Sequence, residues 1–106
     1  MMNKRGMNDL LIRIGQGDLL ALNWMYELLH RHAVGMILAE IGGLDEADAD
    51  ASFNRAMQKI WSSASSYQSR SSGDVDITAY AWMRTTILNT ARDAARALRK
   101  RAAAEQ

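Results

Sequence analysis

The chain has 106 residues, 48% apolar and 24% charged, with seven glycines and neither proline nor cysteine, enough for one domain and too short for two ordinary ones. The missing cysteine excludes disulfide frameworks, thiolate nucleophiles and cysteine-ligated zinc, and the missing proline argues against a proline-punctuated β-sandwich. Formal net charge is only +1, yet residues 1–53 hold four bases against eight acids and residues 54–106 nine bases against four acids, so two surfaces of opposite sign and two kinds of partner are expected.

Residues 1–8 show no periodicity and are expected to fray. Leu10, Leu11 and Ile14 fit one face of a short helix over Asn8–Ile14, with Asn8 or Asp9 as its cap and Gly15-Gln16-Gly17 as its break. Asp18 then caps a longer helix from Leu19 to about Ile41, whose apolar positions Leu22, Met25, Leu28 or Leu29, Ala33 and Met36 or Ile37 recur at three or four. Glu40 lies off that face. Trp24, Met25 and Met36 fit a core or a self-association face, and the core reading is preferred.

Gly42-Gly43 ends the second helix. Asp45 is the natural cap of a third, running to about Ser63, with Asp48 in its acidic first turn. Its buried stripe is Ala49, Phe53, Ala56 or Met57 and Ile60, with Trp61 beside it. Residues 62–74 then read SSASSYQSRSSGD, a serine-rich stretch of the length that is often functional. The last helix starts near Asp76 or Thr78 and runs to Arg101. Its expected core face is Ile77, Tyr80 or Ala81, Arg84 by spacing only, Ile87 or Leu88, Ala91, Ala95 and Leu98. Residues 102–106 are expected to fray. The fold class is therefore all-α, a compact bundle of four helices with the first one short.

The chemistry on offer is limited. His30 and His32 are two apart on one helix and cannot clamp one metal without outside ligands. The acids between Glu40 and Asp50 lack calcium-loop spacing, and Gly15-Gln16-Gly17 lacks the strand and the lysine of a phosphate loop. No nucleophile–base set is nameable, so neither an enzyme nor a bound metal or cofactor is expected. No uncharged run spans a bilayer and no secretory leader is recognisable, so no membrane role and a cytoplasmic location are expected.

The last helix is different. From Arg84 to Arg101 it holds six bases and one acid, Asp93. Arg92, Arg96 and Arg99 are separated by four and three, so one face presents guanidiniums that suit phosphate oxygens and base edges. A plain solvated face that complements the negative end of the helix dipole explains the same residues. In the serine-rich stretch, Tyr67 and Arg70, with Trp61 nearby, could stack on and contact unpaired bases, or Tyr67 could fold down over the core.

Three segments in order carry a resemblance. LLIRIGQGD followed by ALNWMY, then ADASFNRAMQKIW, then AWMRTTILNTARDAAR with Trp82, Asn89, Asp93 and Arg96 at fixed separations, resemble the region 2 domain of bacterial extracytoplasmic-function sigma factors over about residues 9–101. The resemblance implies a sigma region 2-like domain that docks on the largest subunit of the RNA polymerase core through Asp50, Asn54, Arg55 and Gln58. It implies promoter contact around a partly single-stranded −10 element, with Tyr67 and Arg70 on the base-capturing loop at 65–73 and Arg84, Asn89, Arg92, Arg96 and Arg99 on the last helix. Phe53, Ile60, Trp82 and Ile87 would form structural core.

The chain departs from the family at Ala51, where an acid is usual, and at Asn54-Arg55, in place of a Gln-Glu pair. It is also expected to lack the −35-reading domain, as a domain cut from a longer protein, half of a split factor or a reused domain. A separate −35-reading subunit or an inhibitory partner is compatible with that. The alternative is a sigma-like scaffold reused as a transcription regulator or protein-interaction adaptor without polymerase core binding.

Overall fold

The computed structural model describes residues 3–67 and 73–105. Four α-helices follow one another, α1 (Met7–Gly15), α2 (Leu19–Glu40), α3 (Glu46–Ser63) and α4 (Val75–Ala104), with a short 3₁₀ turn, Ala64–Ser66, directly after α3. The all-α four-helix arrangement follows from apolar residues repeating at helical spacing. In α2 the buried line is Ala21, Met25, Leu29, Ala33 and Ile37, five residues in steps of four. Asp18 caps this helix, its carboxylate accepting from Ala21 N at 3.2 Å. Leu22 and Met36 pack at the edges of the line, and Leu28 is largely outside it.

Reciprocal carboxylate caps start α3. Asp48 N donates to Asp45 Oδ1 at 2.8 Å and Asp45 N donates to Asp48 Oδ2 at 3.2 Å, so two of the free N–H groups of the first turn are satisfied at once. The expected stripe is buried, with Phe53 and Ile60 fully enclosed. Phe53 alone contributes about 2–3 kcal/mol by leaving water. Ile87 of α4 is also core, whereas Trp82 is half-buried and packs against the core from outside.

Three expectations are corrected at the chain's two ends. Met7 does not belong to a frayed lead; it opens α1 and is fully buried. Neither Asn8 nor Asp9 caps α1. Gly6 occupies the cap position at φ 83° without a side chain to offer, and the acceptor comes from a distant element. Asp76, in the first turn of α4, accepts from Gly6 N at 3.1 Å and Asn8 N at 2.9 Å. Residues 102–104, expected to fray, continue α4, and Glu105 N still donates to Arg101 O at 3.2 Å.

The start of α4 also differs. Asp74 is its cap, accepting from Asp76 N and Ile77 N, and the buried face runs through Ala79, Met83, Ile87, Ala91 and Ala95. Ile77 is 54% exposed, Ala81 is exposed, and Tyr80, Arg84 and Leu98 are half-buried. Steps of four back from Ile87 reach Met83 and Ala79, and the short Ala79 leaves room for α4 to lie close to its neighbours. The larger Ile77 and Tyr80 are displaced around the axis. Trp24, for which the core was preferred, is 67% exposed on α2.

The protein measures 51 × 28 × 24 Å. A helix of this length spans about 45 Å, so α4 sets the long axis. Its last buried residue is Ala95; beyond it Leu98 is half-buried and, with Arg101, lines a groove against Asp48 and Ala51 of α3. Among the described residues no buried side-chain nitrogen or oxygen lacks a hydrogen-bond partner, and no helix is long and apolar enough to cross a membrane.

Candidate nucleic-acid interface

The basic residues of α4 divide into two groups. Arg84 is withdrawn from the expected set, since its Nη2 donates to both carboxylate oxygens of Glu40 on α2 at 2.8 and 3.1 Å. Asn89, Arg92, Arg96 and Arg99, spaced by three, four and three, are all exposed and form one stripe on the outer side of the helix. Arg92 Nη1 donates to Asn89 Oδ1 at 3.2 Å and Arg96 Nη1 to Asp93 Oδ1 at 3.3 Å. Both contacts run along the helix surface and leave the guanidiniums open to solvent; the Arg96 side chain keeps 69% of its exposure. Arg99, Lys100 and Arg101 follow with no acidic partner among the described residues.

Tyr67 lies at the other end of this stripe. Its ring meets the Trp82 ring edge-on, with centroids 5.5 Å apart, and its hydroxyl donates to Asn8 Oδ1 at 2.9 Å. The ring is half-buried against the core, which is the packing alternative and not an open stacking face. Trp82, Asn89 and Arg96 recur every seven residues, so they stay within about 40° of one line along α4. That line is about 21 Å from Trp82 to Arg96. Arg70 lies outside the described residues, as do residues 68–72 of the expected base-capturing loop.

The four residues expected to dock on a protein do not share one face. Asn54 and Gln58 line a groove of about 460 Å³ between α2 and α3, together with Leu19, Tyr26, Met57 and Trp61. Asp50, one turn earlier, pairs with the His30 imidazole, and His30 joins Tyr26 and Phe53 in a three-ring cluster, its centroid 5.0 Å from that of Tyr26 and 5.4 Å from that of Phe53. Asn54 accepts from the Tyr26 hydroxyl at 2.7 Å. Arg55 is rotated by one residue to the opposite flank, where it lines a narrower groove with Asp48, Ala51, Leu98 and Arg101. Consecutive helix positions diverge by about 100°, which is why neighbours in sequence separate here.

Burial and the nearby negative charges of Asp50 and Glu27 push the Tyr26 phenol above its ordinary range. Burial pushes Tyr80 up in the same direction; Arg84 opposes this and Glu40 adds to it. Tyr80 also shares a 2.7 Å hydrogen bond with His32 Nε2, and the Lys4 ammonium sits 4.7 Å from its ring centroid. Both histidines thus tie α2 to a neighbouring helix. Among the described residues no group of three or more metal-ligating side chains comes together.

Sequence reading missed the Asp76–α1 contacts and the His30–Asp50, His32–Tyr80 and Arg84–Glu40 pairs. Each joins residues at least 20 positions apart, and no local pattern encodes such a pairing. No family model, curated protein or solved structure matches the chain.

Proposed function

We propose that the chain acts as a sigma region 2-like transcription module, which binds RNA polymerase through the α2–α3 side and promoter DNA, partly single-stranded around the −10 element, along α4. One observation carries the reading. The exposed Asn89, Arg92, Arg96 and Arg99 continue the line that Tyr67 and Trp82 begin, giving a strip about as long as six stacked nucleotides. Guanidiniums on that strip would hold phosphates, and Asn89 offers an amide to base edges. Tyr67, pinned by Trp82 and Asn8, would serve as a structural anchor at the start of the strip instead of stacking on a base itself.

A second reading, an adaptor or regulator that does not bind polymerase core, is favoured by the occupation of Asp50 and Asn54 by His30 and Tyr26 and by Arg55 facing another flank. Copurification separates the two. The promoter reading expects the tagged protein to retain core polymerase, and fluorescence anisotropy to give tighter binding to a single-stranded −10-like oligonucleotide than to the matching duplex. Retention lost on Gln58→Arg or Trp61→Glu would place the contact on the α2–α3 groove. A chain that binds DNA without retaining polymerase fits the adaptor, and one that binds neither refutes the promoter reading.

A further inference from the structure

The outer face of α2 is apolar where a solvent-facing helix should be polar. Leu20 and Trp24 are 72% and 67% exposed and Leu38 is 41% exposed. With Glu27 and Arg31 between them they recur in steps of three, four and seven, the spacing of a helix–helix seam. Glu27 and Arg31 face solvent and have no ion-pair partner among the described residues. Gly35, on the same side, is exposed and leaves open space where a Cβ would stand.

The order of these residues reads nearly the same in reverse. Turning a second α2 end over end about its middle sets Leu20 against Leu38, Trp24 against the gap at Gly35, and Glu27 against Arg31, each contact occurring twice. A parallel alignment would set Glu27 against Glu27 and Arg31 against Arg31. A two-fold interface requires a patch complementary to itself, and this one is so in the antiparallel sense alone. We infer that α2 is the interface of an antiparallel homodimer, in which the Leu20, Trp24 and Leu38 contacts flank two reciprocal Glu27–Arg31 pairs.

The seam is about 27 Å long. Its burial is on the order of 1,000 Å² in total, the lower bound for a specific interface, so the dimer is weak and reversible. It depends on nothing in the promoter reading, since none of its residues lies on the α4 strip. The exposed position of Trp24 also matches the self-association face that the sequence left open for it.

Cysteine cross-linking tests the arrangement directly because the native chain has no cysteine. Leu20→Cys and Leu38→Cys chains are made separately and oxidised alone and mixed. The antiparallel dimer expects a cross-linked pair chiefly in the mixture, containing one chain of each kind. Cross-links formed equally well within each variant alone, or none in any sample, overturn it. Sedimentation of the native chain at increasing concentration should show a monomer–dimer equilibrium. Glu27→Arg or Arg31→Glu alone should raise the dissociation constant about tenfold, and an equal mixture of the two variants should recover the dimer. These positions are exposed, so circular dichroism should report an unchanged helical fold. A native chain that stays monomeric at hundreds of micromolar and low salt overturns the inference.

Discussion

A Cβ added at Gly15 would lie 2.8 Å from the Ala64 carbonyl oxygen and 2.9 Å from its carbon, both backbone atoms of the turn after α3. Backbone cannot swing aside as a side chain does, so Gly15→Ala is expected to destabilise the fold by about 1–3 kcal/mol, despite alanine's better helix propensity. Gly35→Ala is the internal control. Its added methyl meets nothing within 4 Å, and the same propensity gain should stabilise the dilute monomer by about 1 kcal/mol. Urea midpoints of the two variants should therefore move in opposite directions. Asp76 offers a second contrast at this scale. Removing its carboxylate in Asp76→Ala strips acceptors from Gly6 N and Asn8 N, at an expected cost of about 1–3 kcal/mol. Hydrogen exchange should localise that loss to α1, with the α3–α4 core still protected. Exchange that quickened uniformly would mean that the carboxylate does not act as the cap of α1.

The elements are held together by aromatic–polar contacts as well as by the core. The Tyr26 hydroxyl joins α2 to Asn54 of α3, and that of Tyr80 joins α4 to His32 of α2. In both the folded environment favours the protonated phenol, chiefly through burial. A pKa raised on folding makes stability fully present below the ordinary phenol value, about 10, and lost as pH rises through the higher folded value. The melting temperature should hold to about pH 9 and then fall, and Tyr80→Phe should flatten that fall; an identical alkaline slope in the variant would assign it to other groups. These contacts also show how far the elements were legible in the sequence. Asp18 and Asp45 announced their helices because a cap and its recipient N–H groups are three residues apart. The cap of α1 was invisible because its acceptor, Asp76, is 68 and 70 residues away. The first turns of α4 were misread because Ile77 and Tyr80 outweigh Ala79 in hydrophobic pattern, although close packing there favours the alanine. Arg92, Arg96 and Arg99 were legible as one stripe from spacing, whereas the withdrawal of Arg84 by Glu40 required the tertiary fold.

At the scale of the whole molecule the charges segregate along the long axis of α4. The final turns carry Arg96, Arg99, Lys100 and Arg101 beyond Ala95, the last buried residue; Arg101 shares a groove with Asp48 in the acidic start of α3, while the exposed Arg96, Arg99 and Lys100 are open to a polyanion. Were this basic end to hold nucleic acid as proposed, it would do so by releasing condensed counterions, and affinity would fall steeply with salt. The strip reading therefore predicts that Arg92→Ala, Arg96→Ala and Arg99→Ala each reduce the slope of log affinity against log salt by about one unit. Arg84→Ala should leave the slope nearly unchanged, because its guanidinium is already committed to Glu40. Its own effect should appear as a stability loss of at most about 1 kcal/mol, as expected of a half-exposed ion pair. Titrating a labelled oligonucleotide from 50 to 200 mM salt with the four variants in parallel separates the two groups. If Arg84→Ala lowers the slope as much as the others, the contact is diffuse attraction to a positive surface, and the strip from Trp82 to Arg96 loses its claim to register a strand.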